Sequence, residues 1–179
     1  MRKLALTAIL ALAASPAFAD TTSGLYAGGQ IGYHDTGSIL GQSIDGLTYG
    51  GYVGVNRELS GPFVVGAEGN YSFSSGDLDS EYGFNAHAGV KFGKSALAFV
   101  RAGYQWVDFD LVHIAEDGLG RPLTAPELAI IDGQDDTDGG FLTGAGLQFG
   151  IGERASIRTV VDTIEFETVK VSAGFALHF

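Results

Sequence analysis

The sequence has no cysteine, few prolines and few basic residues. Its 179 residues include 4 prolines, and 10 lysines and arginines against 21 acidic residues, which gives a formal net charge of −11. The lack of cysteine excludes a disulfide framework and thiol chemistry. The acidic balance makes nucleic acid a poor partner, because phosphates are bound by lysine and arginine. After residue 19 no run of about eighteen apolar residues occurs, so a transmembrane helix is excluded.

The first nineteen residues have the layout of a secretory signal peptide. Arg2 and Lys3 form a positive start, an apolar stretch follows, and a small-x-small cleavage signal ends at Ala19. The stretch is too short and wrongly flanked for a membrane span. We therefore expect residues 1–19 to be cleaved, leaving a single exported domain over 20–179.

The rest of the chain alternates apolar and polar residues with a period of two in eight segments of about ten residues. The segments are approximately 24–34, 47–57, 62–73, 82–92, 95–107, 140–151, 153–164 and 169–179. Short and long connections take turns between them, as in an up-and-down meander. An even number of strands allows the first to pair with the last, which leaves no unpaired edge. The sequence predicts an all-β, eight-stranded antiparallel up-and-down barrel.

Charged residues within the segments share the glycine-rich polar face. They are Glu68, Lys91, Arg101, Arg158, Asp162 and Lys170. In a transmembrane barrel this face lines the lumen. In a soluble barrel that encloses a ligand, the apolar face would be inside and the charges would be in water. The charges alone leave both alternatives open.

The aromatic residues of the apolar face distinguish the two alternatives. Near the long connections this face carries Tyr33, Tyr49, Tyr71, Phe73, Tyr82, Phe84, Tyr104 and Trp106. Near the short turns it carries Phe63, Phe92, Phe149 and Phe179, and small or aliphatic residues lie between the two groups. Aromatic girdles of this kind occur where a surface meets lipid headgroups at both interfaces. The pattern therefore indicates a transmembrane β-barrel.

The sequence ends on V-S-A-G-F-A-L-H-F, an alternating run that stops at an aromatic residue. With the leader and the eight segments, it resembles the small eight-stranded outer-membrane barrels of Gram-negative bacteria. Members are the barrel domain of outer-membrane protein A and the OmpX-like and opacity-like proteins. In that family a polar residue, a glycine and two hydrophobic residues, the last aromatic, form a signal for the insertion machinery. The matching positions are Ser172, Gly174, Leu177 and Phe179.

The resemblance implies a place in the outer membrane of a Gram-negative bacterium. Outer-membrane lipid, lipopolysaccharide and the outer-membrane insertion machinery are then the expected partners. The alternative for the last segment alone is an ordinary edge strand.

Four polar residues of the inward face fall at comparable depth when positions are counted from the short turns. They are Glu68, His87, Arg101 and Arg158, and Gln30, Tyr52 and Gln148 are candidates to join them. Because buried charges need partners, we expect a polar network in the lumen, with Glu68 contacting Arg101 or Arg158. The alternative role is a gate or proton path. Asp162 and Lys170 flank the last long connection and are expected to pair across their hairpin.

The longest connection, residues 108–139, holds nine acidic residues and a single basic one, Arg121. Its run D-G-Q-D-D-T-D-G-G superficially resembles a calcium loop. Placing Gly139 at the sixth position puts Gln134 first and Ala145 twelfth, where acids are required. We therefore predict no metal site, with weak divalent binding as the alternative.

An apolar stretch over 123–131 interrupts this acidic connection. It predicts a short helix that starts near Thr124, with Pro126 and Glu127 in its first turn. An apolar helix face would suit a partner protein or the lipid surface. The alternative is a lid that packs over the barrel mouth.

Catalysis is not expected, because a hydrolase needs a nucleophile, a base and an orienting acid in mutual reach. The four histidines, His34, His87, His113 and His178, offer no such set, since His34 is placed at a strand end and His113 in a loop. No cofactor is predicted. The sequence favours a structural, adhesive or surface-interaction role through extracellular loops, chiefly 108–139, with a host or surface protein as partner. The alternatives are a lipid A-modifying enzyme and a narrow channel.

Overall fold

The structure is a computed structural model that describes residues 21–39, 42–76, 78–93, 95–131, 137–166 and 168–179. Eight antiparallel strands form a closed barrel in which each strand pairs with its neighbours in sequence. They are β1 (Gly24–Ile39), β2 (Gln42–Glu58), β3 (Phe63–Gly76), β4 (Leu78–Phe92), β5 (Ala96–Phe109), β6 (Thr137–Ile151), β7 (Ala155–Ile164) and β8 (Thr168–His178). The expected signal peptide, 1–19, lies outside the described residues.

The predicted eight-stranded up-and-down barrel is confirmed. Several strands extend further toward the long connections than the alternation indicated: β1 continues to Ile39 and β4 begins at Leu78. The β1–β2 ladder runs as far as Ile39 opposite Gln42, with an irregularity between Asp35 and Ser38. Ladder pairing uses backbone groups, so it can continue where the apolar alternation has ended.

The barrel closes between the first and last strands. β1 pairs with β8 from Tyr26 opposite His178 to Asp35 opposite Val169. Closure satisfies the backbone groups that lipid cannot hydrogen-bond. At the end of the barrel opposite the long connections, the turns are tight. Gly93 and Gly152 lie in two of these turns and adopt the left-handed backbone that they require.

Burial follows the two faces of the strands. The inward charged residues Glu68, Arg101, Arg158, Asp162 and Lys170 are buried, whereas outward residues such as Phe84 and Val100 are exposed. A soluble barrel around a ligand would show the opposite arrangement. The chain therefore has the arrangement expected of a transmembrane barrel, with polar residues inside and apolar residues outside.

Aromatic rings form a continuous outward-facing group near the long connections, from β2 to β5. Tyr71 stacks on Tyr82, which in turn stacks on Trp106, with ring centroids 6.1 and 5.5 Å apart. Phe92 and Phe149 meet edge to face near the short turns, at 6.4 Å. The two groups correspond to the predicted girdles at the headgroup levels.

The described residues of the connection between β5 and β6 form two helices: α1 (Leu111–Leu119) and α2 (Ala125–Ile131). The short helix expected near Thr124 is confirmed as α2, whereas α1 was not predicted. Its signals were Asp110 at the cap position and apolar residues at helical spacing from Leu111 to Leu119. Among the described residues, no helix has the length and apolar character needed to cross a membrane.

The closed sheet predicts heat-modifiable behaviour. Unboiled protein should migrate differently from boiled protein on a detergent gel, because the closed strand ladder resists detergent until it is heated. Circular dichroism of the unboiled sample should show a β spectrum. Equal mobility of the two samples together with a helical spectrum would contradict the barrel.

Candidate functional site

Glu68 on β3 lies at the centre of the lumen between two guanidinium groups. Arg158 on β7 binds both of its carboxylate oxygens, with Nη2 at 3.0 Å from Oε1 and Nη1 in contact with Oε2. Arg101 on β5 approaches Oε1 with Nη1 at 3.3 Å, and the hydroxyl of Tyr26 donates to Oε2 at 2.9 Å. Because both arginines contact Glu68, one carboxylate links strands on opposite sides of the barrel.

Asp162 pairs with Arg101, and not with the residue opposite it on its own hairpin. Arg101 Nε donates to Oδ1 at 2.7 Å and Nη2 contacts Oδ2. Lys170 is the Cα partner of Asp162, but its ammonium group binds Glu81. The expected cross-hairpin pair was therefore wrong. Gly144 on the intervening β6 explains this, because a Cβ there would collide with the Asp162 carboxylate.

The central cluster balances two arginines against two carboxylates, all buried. The Arg158 guanidinium also lies over the Tyr52 ring, 3.5 Å from its centroid, and donates to Gln30 Oε1 at 3.3 Å. His87, which the sequence placed in the same layer, hydrogen-bonds Asn56 Oδ1 at 2.7 Å and does not bond Glu68 directly. Equal numbers of opposite charges offset part of the cost of burying each one.

The lumen is filled toward the short-turn end. A buried apolar layer consists of Val64, Leu97, Phe99 and Val160. Next to the mouth, Gln148 donates to the Thr21 carbonyl at 2.6 Å and Thr22 donates to Glu58 at 2.8 Å. The cavity between the central cluster and this layer has a volume of ≈ 10 Å³, about the minimum for one water molecule.

A second buried ion cluster lies near the long connections. Lys170 on β8 binds Glu81 on β4, and His34 on β1 places Nδ1 3.3 Å from the other Glu81 oxygen. The opposite ring nitrogen of His34 lies 3.3 Å from Thr168 Oγ1. His34 and Glu81 have no exposed side-chain surface, so this cluster is buried inside the barrel.

Sequence reasoning missed the second cluster because it ended the first segment at His34 and began the fourth after Glu81. Parity would have found it: Glu81 shares the inward face of β4 with His87, and His34 shares that of β1 with Gln30. The arrangement of hydroxyl, imidazole and carboxylate also corrects the expectation that no histidine has such neighbours. The side chains of His34 and Glu81 have no exposed surface, and Glu81 also binds Lys170.

The four residues expected to form the assembly signal lie in or directly after the last strand: Ser172, Gly174, Leu177 and Phe179. Ser172 is buried in the lumen, and Leu177 faces outward. Gly174 faces the Tyr52 ring, since an added Cβ would lie 3.0 Å from the tyrosine hydroxyl. The Phe179 amide donates to the Leu25 carbonyl at 2.8 Å, which extends the β1–β8 seam to the last residue.

Local hydrogen bonds stabilise the part of the long connection that the structure describes. Asp110 caps α1 by accepting from the His113 amide at 2.9 Å. Glu127 accepts from the amide and hydroxyl of Thr124 at 2.8 and 2.6 Å, and from Arg121 at 3.0 and 2.8 Å. The Arg121 hydrogen bonds, followed by those from Thr124, hold the pKa of Glu127 well below its usual range. These contacts stabilise the start of α2.

The acidic run suspected of weak calcium binding falls largely on residues 132–136, which lie outside the described residues. Within the described ranges, no group of three or more acidic or histidine side chains is arranged to hold a metal ion.

The chain matches the model of the outer membrane protein beta-barrel domain family over residues 4–179. It belongs to this family. Comparison with curated proteins gave no match. Proteins of this family are transmembrane barrels, so the strands span the membrane and the polar network lies in the lumen of the barrel.

Solved structures with the same fold include Ail of Yersinia pestis in complex with the heparin analogue sucrose octasulfate, at 16% identity and a TM-score of 0.53. Neisserial surface protein A has 14% identity and a TM-score of 0.54. The N-terminal β-barrel domain of Pseudomonas aeruginosa OprF has 14% identity and a TM-score of 0.56. Each alignment covers 88% of this chain, and 97%, 98% and 98% of the respective structures. At these identities the likeness concerns the fold.

Replacing Glu68 with glutamine should destabilise the barrel strongly. Removing one member of a buried ion cluster strands its partners and costs about 3–5 kcal/mol, measured here as the free energy of unfolding by urea in detergent micelles. Glu58→Gln is the matched control, because its pair with Lys91 is partly exposed and should contribute about 1 kcal/mol or less. Equal losses for the two variants would refute a central role for Glu68.

Replacing Phe179 with aspartate should lower the amount of protein assembled in the outer membrane. The residue ends the β1–β8 seam and occupies the aromatic position of the expected assembly signal. Phe166→Asp serves as the control, since Phe166 is exposed in the β7–β8 connection. Membrane fractions would be compared by quantitative immunoblotting, and similar levels for both variants would contradict the assignment.

Proposed function

We propose that the protein is a closed outer-membrane anchor that holds the segment between β5 and β6 outside the cell as a contact surface for another protein. The observation that carries this proposal is the build of the segment: α2 has no buried residue, and apolar side chains of both helices are exposed. A segment that served only to plug the mouth would bury these side chains against the barrel. Exposed apolar groups of this kind suit a binding surface.

The orientation follows from the lengths of the connections. Bacterial outer-membrane barrels keep short turns in the periplasm and long connections outside. With eight strands, the start of β1 and the end of β8 lie at the short-turn end, which the proposal assigns to the periplasm. Residues 1–19 would then serve as the export leader, and the seam residues of β8 as the signal for the insertion machinery.

The filled lumen favours a structural role over conduction. The central ion cluster, the apolar layer and the threonines at the short-turn mouth occupy successive levels of the interior. An eight-stranded barrel is narrow enough for side chains to fill it. We therefore favour a rigid anchor over a channel.

The lipid A enzyme is the weaker alternative. The catalytic hydroxyl of such an enzyme would have to reach the lipid. The hydroxyl of Thr168 instead belongs to the inward face of β8 and hydrogen-bonds His34. The imidazole has no exposed surface from which to serve a substrate in the membrane. We therefore assign the Thr168, His34 and Glu81 cluster to the stability of the barrel mouth.

An epitope tag inserted at Gly133 should be labelled by antibody on intact cells, because the proposal puts this segment outside. The same tag inserted after Gly93, in the β4–β5 turn, is the control and should be labelled only after the outer membrane is opened. The opposite pattern would overturn the orientation and the role of the segment together.

A further inference from the structure

Basic side chains are distributed unevenly along the barrel. Beyond the leader, the sequence has eight: Arg57, Lys91, Lys94, Arg101, Arg121, Arg154, Arg158 and Lys170. Arg57, Lys91 and Arg154 lie at the short-turn end, and the sequence puts Lys94 in the connection between β4 and β5. Three more are buried in the lumen, where they bind carboxylates. Arg121 is the one basic residue that the sequence supplies to the exposed long-connection end.

Arg121 is already neutralised. Its guanidinium donates two hydrogen bonds to the Glu127 carboxylate and a third to the Pro122 carbonyl at 3.0 Å. A bidentate pair of this geometry leaves the arginine unsuited to a second anion. The exposed end therefore offers little positive charge to a partner.

Three acidic residues of the same segment accept hydrogen bonds from neutral donors only, among the contacts of the described residues. Asp110 and Glu116 accept hydrogen bonds from the amides of His113 and Leu123, both at 2.9 Å. Asp108 accepts from two hydroxyl groups, each at 2.7 Å. Because these donors are neutral, the hydrogen bonds fix the carboxylates in place without compensating their negative charge. With nine acidic residues and one arginine, residues 108–139 have a formal charge of −8.

Apolar side chains are interspersed with these charges. Val112 and Leu119 on α1 are 37% and 53% exposed, and Leu128 and Ile130 on α2 are 39% and 67% exposed. We call these four residues the loop surface. Apolar side chains that remain in water carry a cost that burial against a partner removes.

We propose that the loop surface binds a cationic amphipathic polypeptide. Its lysine or arginine side chains meet the carboxylates of Asp108, Asp110 and Glu116, and its apolar side chains cover the loop surface. The inference rests on the proposed function, since it needs this end of the barrel outside the cell. Charge complementarity selects the partner, because opposite potentials accelerate association and like charges exclude wrong partners. A sulfated polysaccharide, the class represented by the ligand in the Ail structure, would meet repulsion here.

The test uses the full mature chain in lipid nanodiscs made of zwitterionic lipid. The probe is a fluorescent amphipathic peptide of lysine and leucine, and its binding is measured by fluorescence anisotropy against nanodiscs without protein. The peptide should bind more tightly to the loaded nanodiscs, and the affinity should fall as salt is added. A glutamate–leucine peptide of the same pattern and a fluorescent heparin fragment should not bind. Binding of either anionic probe as strong as that of the cationic one would overturn the proposal.

Two variants separate the apolar and the charged contributions. Leu128→Ser with Ile130→Ser should weaken peptide binding by about tenfold, while Phe166→Ser, an apolar residue 77% exposed on a neighbouring connection, should leave it within about twofold. Asp110→Asn with Glu116→Gln keeps hydrogen-bond acceptors and should reduce both the affinity and its salt dependence. Glu153→Gln in the β6–β7 turn is the matched control and should change neither.

The outcomes distinguish the two proposals. If the tag at Gly133 labels intact cells but both double variants bind the peptide as the parent does, the cationic partner is refuted and the anchor stands. If the tag labels only opened cells, the proposed function and the inference fail together. Circular dichroism and heat modifiability of each variant verify that the barrel is intact.

Discussion

The pairing of β1 with β8 is the contact on which the rest of the structure depends. In a bilayer each unpaired backbone group costs several kcal/mol, so a sheet with an open edge is not viable there. The seam runs from Tyr26 opposite His178 to Asp35 opposite Val169, and the Phe179 amide extends it by one bond. Closure also defines an inside, and the ion clusters exist only because that inside is sealed.

The interior then has to be filled without stranding a charge. Glu68 links Arg101 and Arg158, Asp162 completes the set, and a separate pair of Lys170 and Glu81 lies nearer the long connections. Inward glycines make this possible, since a side chain at Gly144 or Gly174 would displace Asp162 or Tyr52. These inward glycines are thus a packing requirement of a narrow lumen. The outward face instead contacts lipid, with aromatic residues at the two headgroup levels and small or aliphatic residues between them.

Alternation of period two was enough to predict the strands, their number and the inward face, because each property depends on neighbouring positions along one chain. Which charges meet was harder to predict. Asp162 and Lys170 are opposite each other in the register, which favoured a pair between them. Asp162 instead extends past Gly144 and binds Arg101. This pairing depends on side-chain lengths and on the free space across three strands. His34 and Glu81 were missed because the apolar alternation weakens before the strands end. Helix α1 was not predicted, because acidic residues interrupt its apolar pattern and its clearest signal is the single cap residue Asp110.

Closure of the sheet is tested most directly by a cross-link across the seam. The chain has no cysteine, so Ile31→Cys with Ala173→Cys introduces one pair, at outward positions opposite each other on β1 and β8. Tyr49→Cys with Phe73→Cys tests the β2–β3 pairing at a hydrogen-bonded pair of the same kind. Mild oxidation of the membrane-embedded protein should cross-link both pairs to a similar extent. A cross-link between β2 and β3 with none between β1 and β8 would show an open sheet and contradict the account.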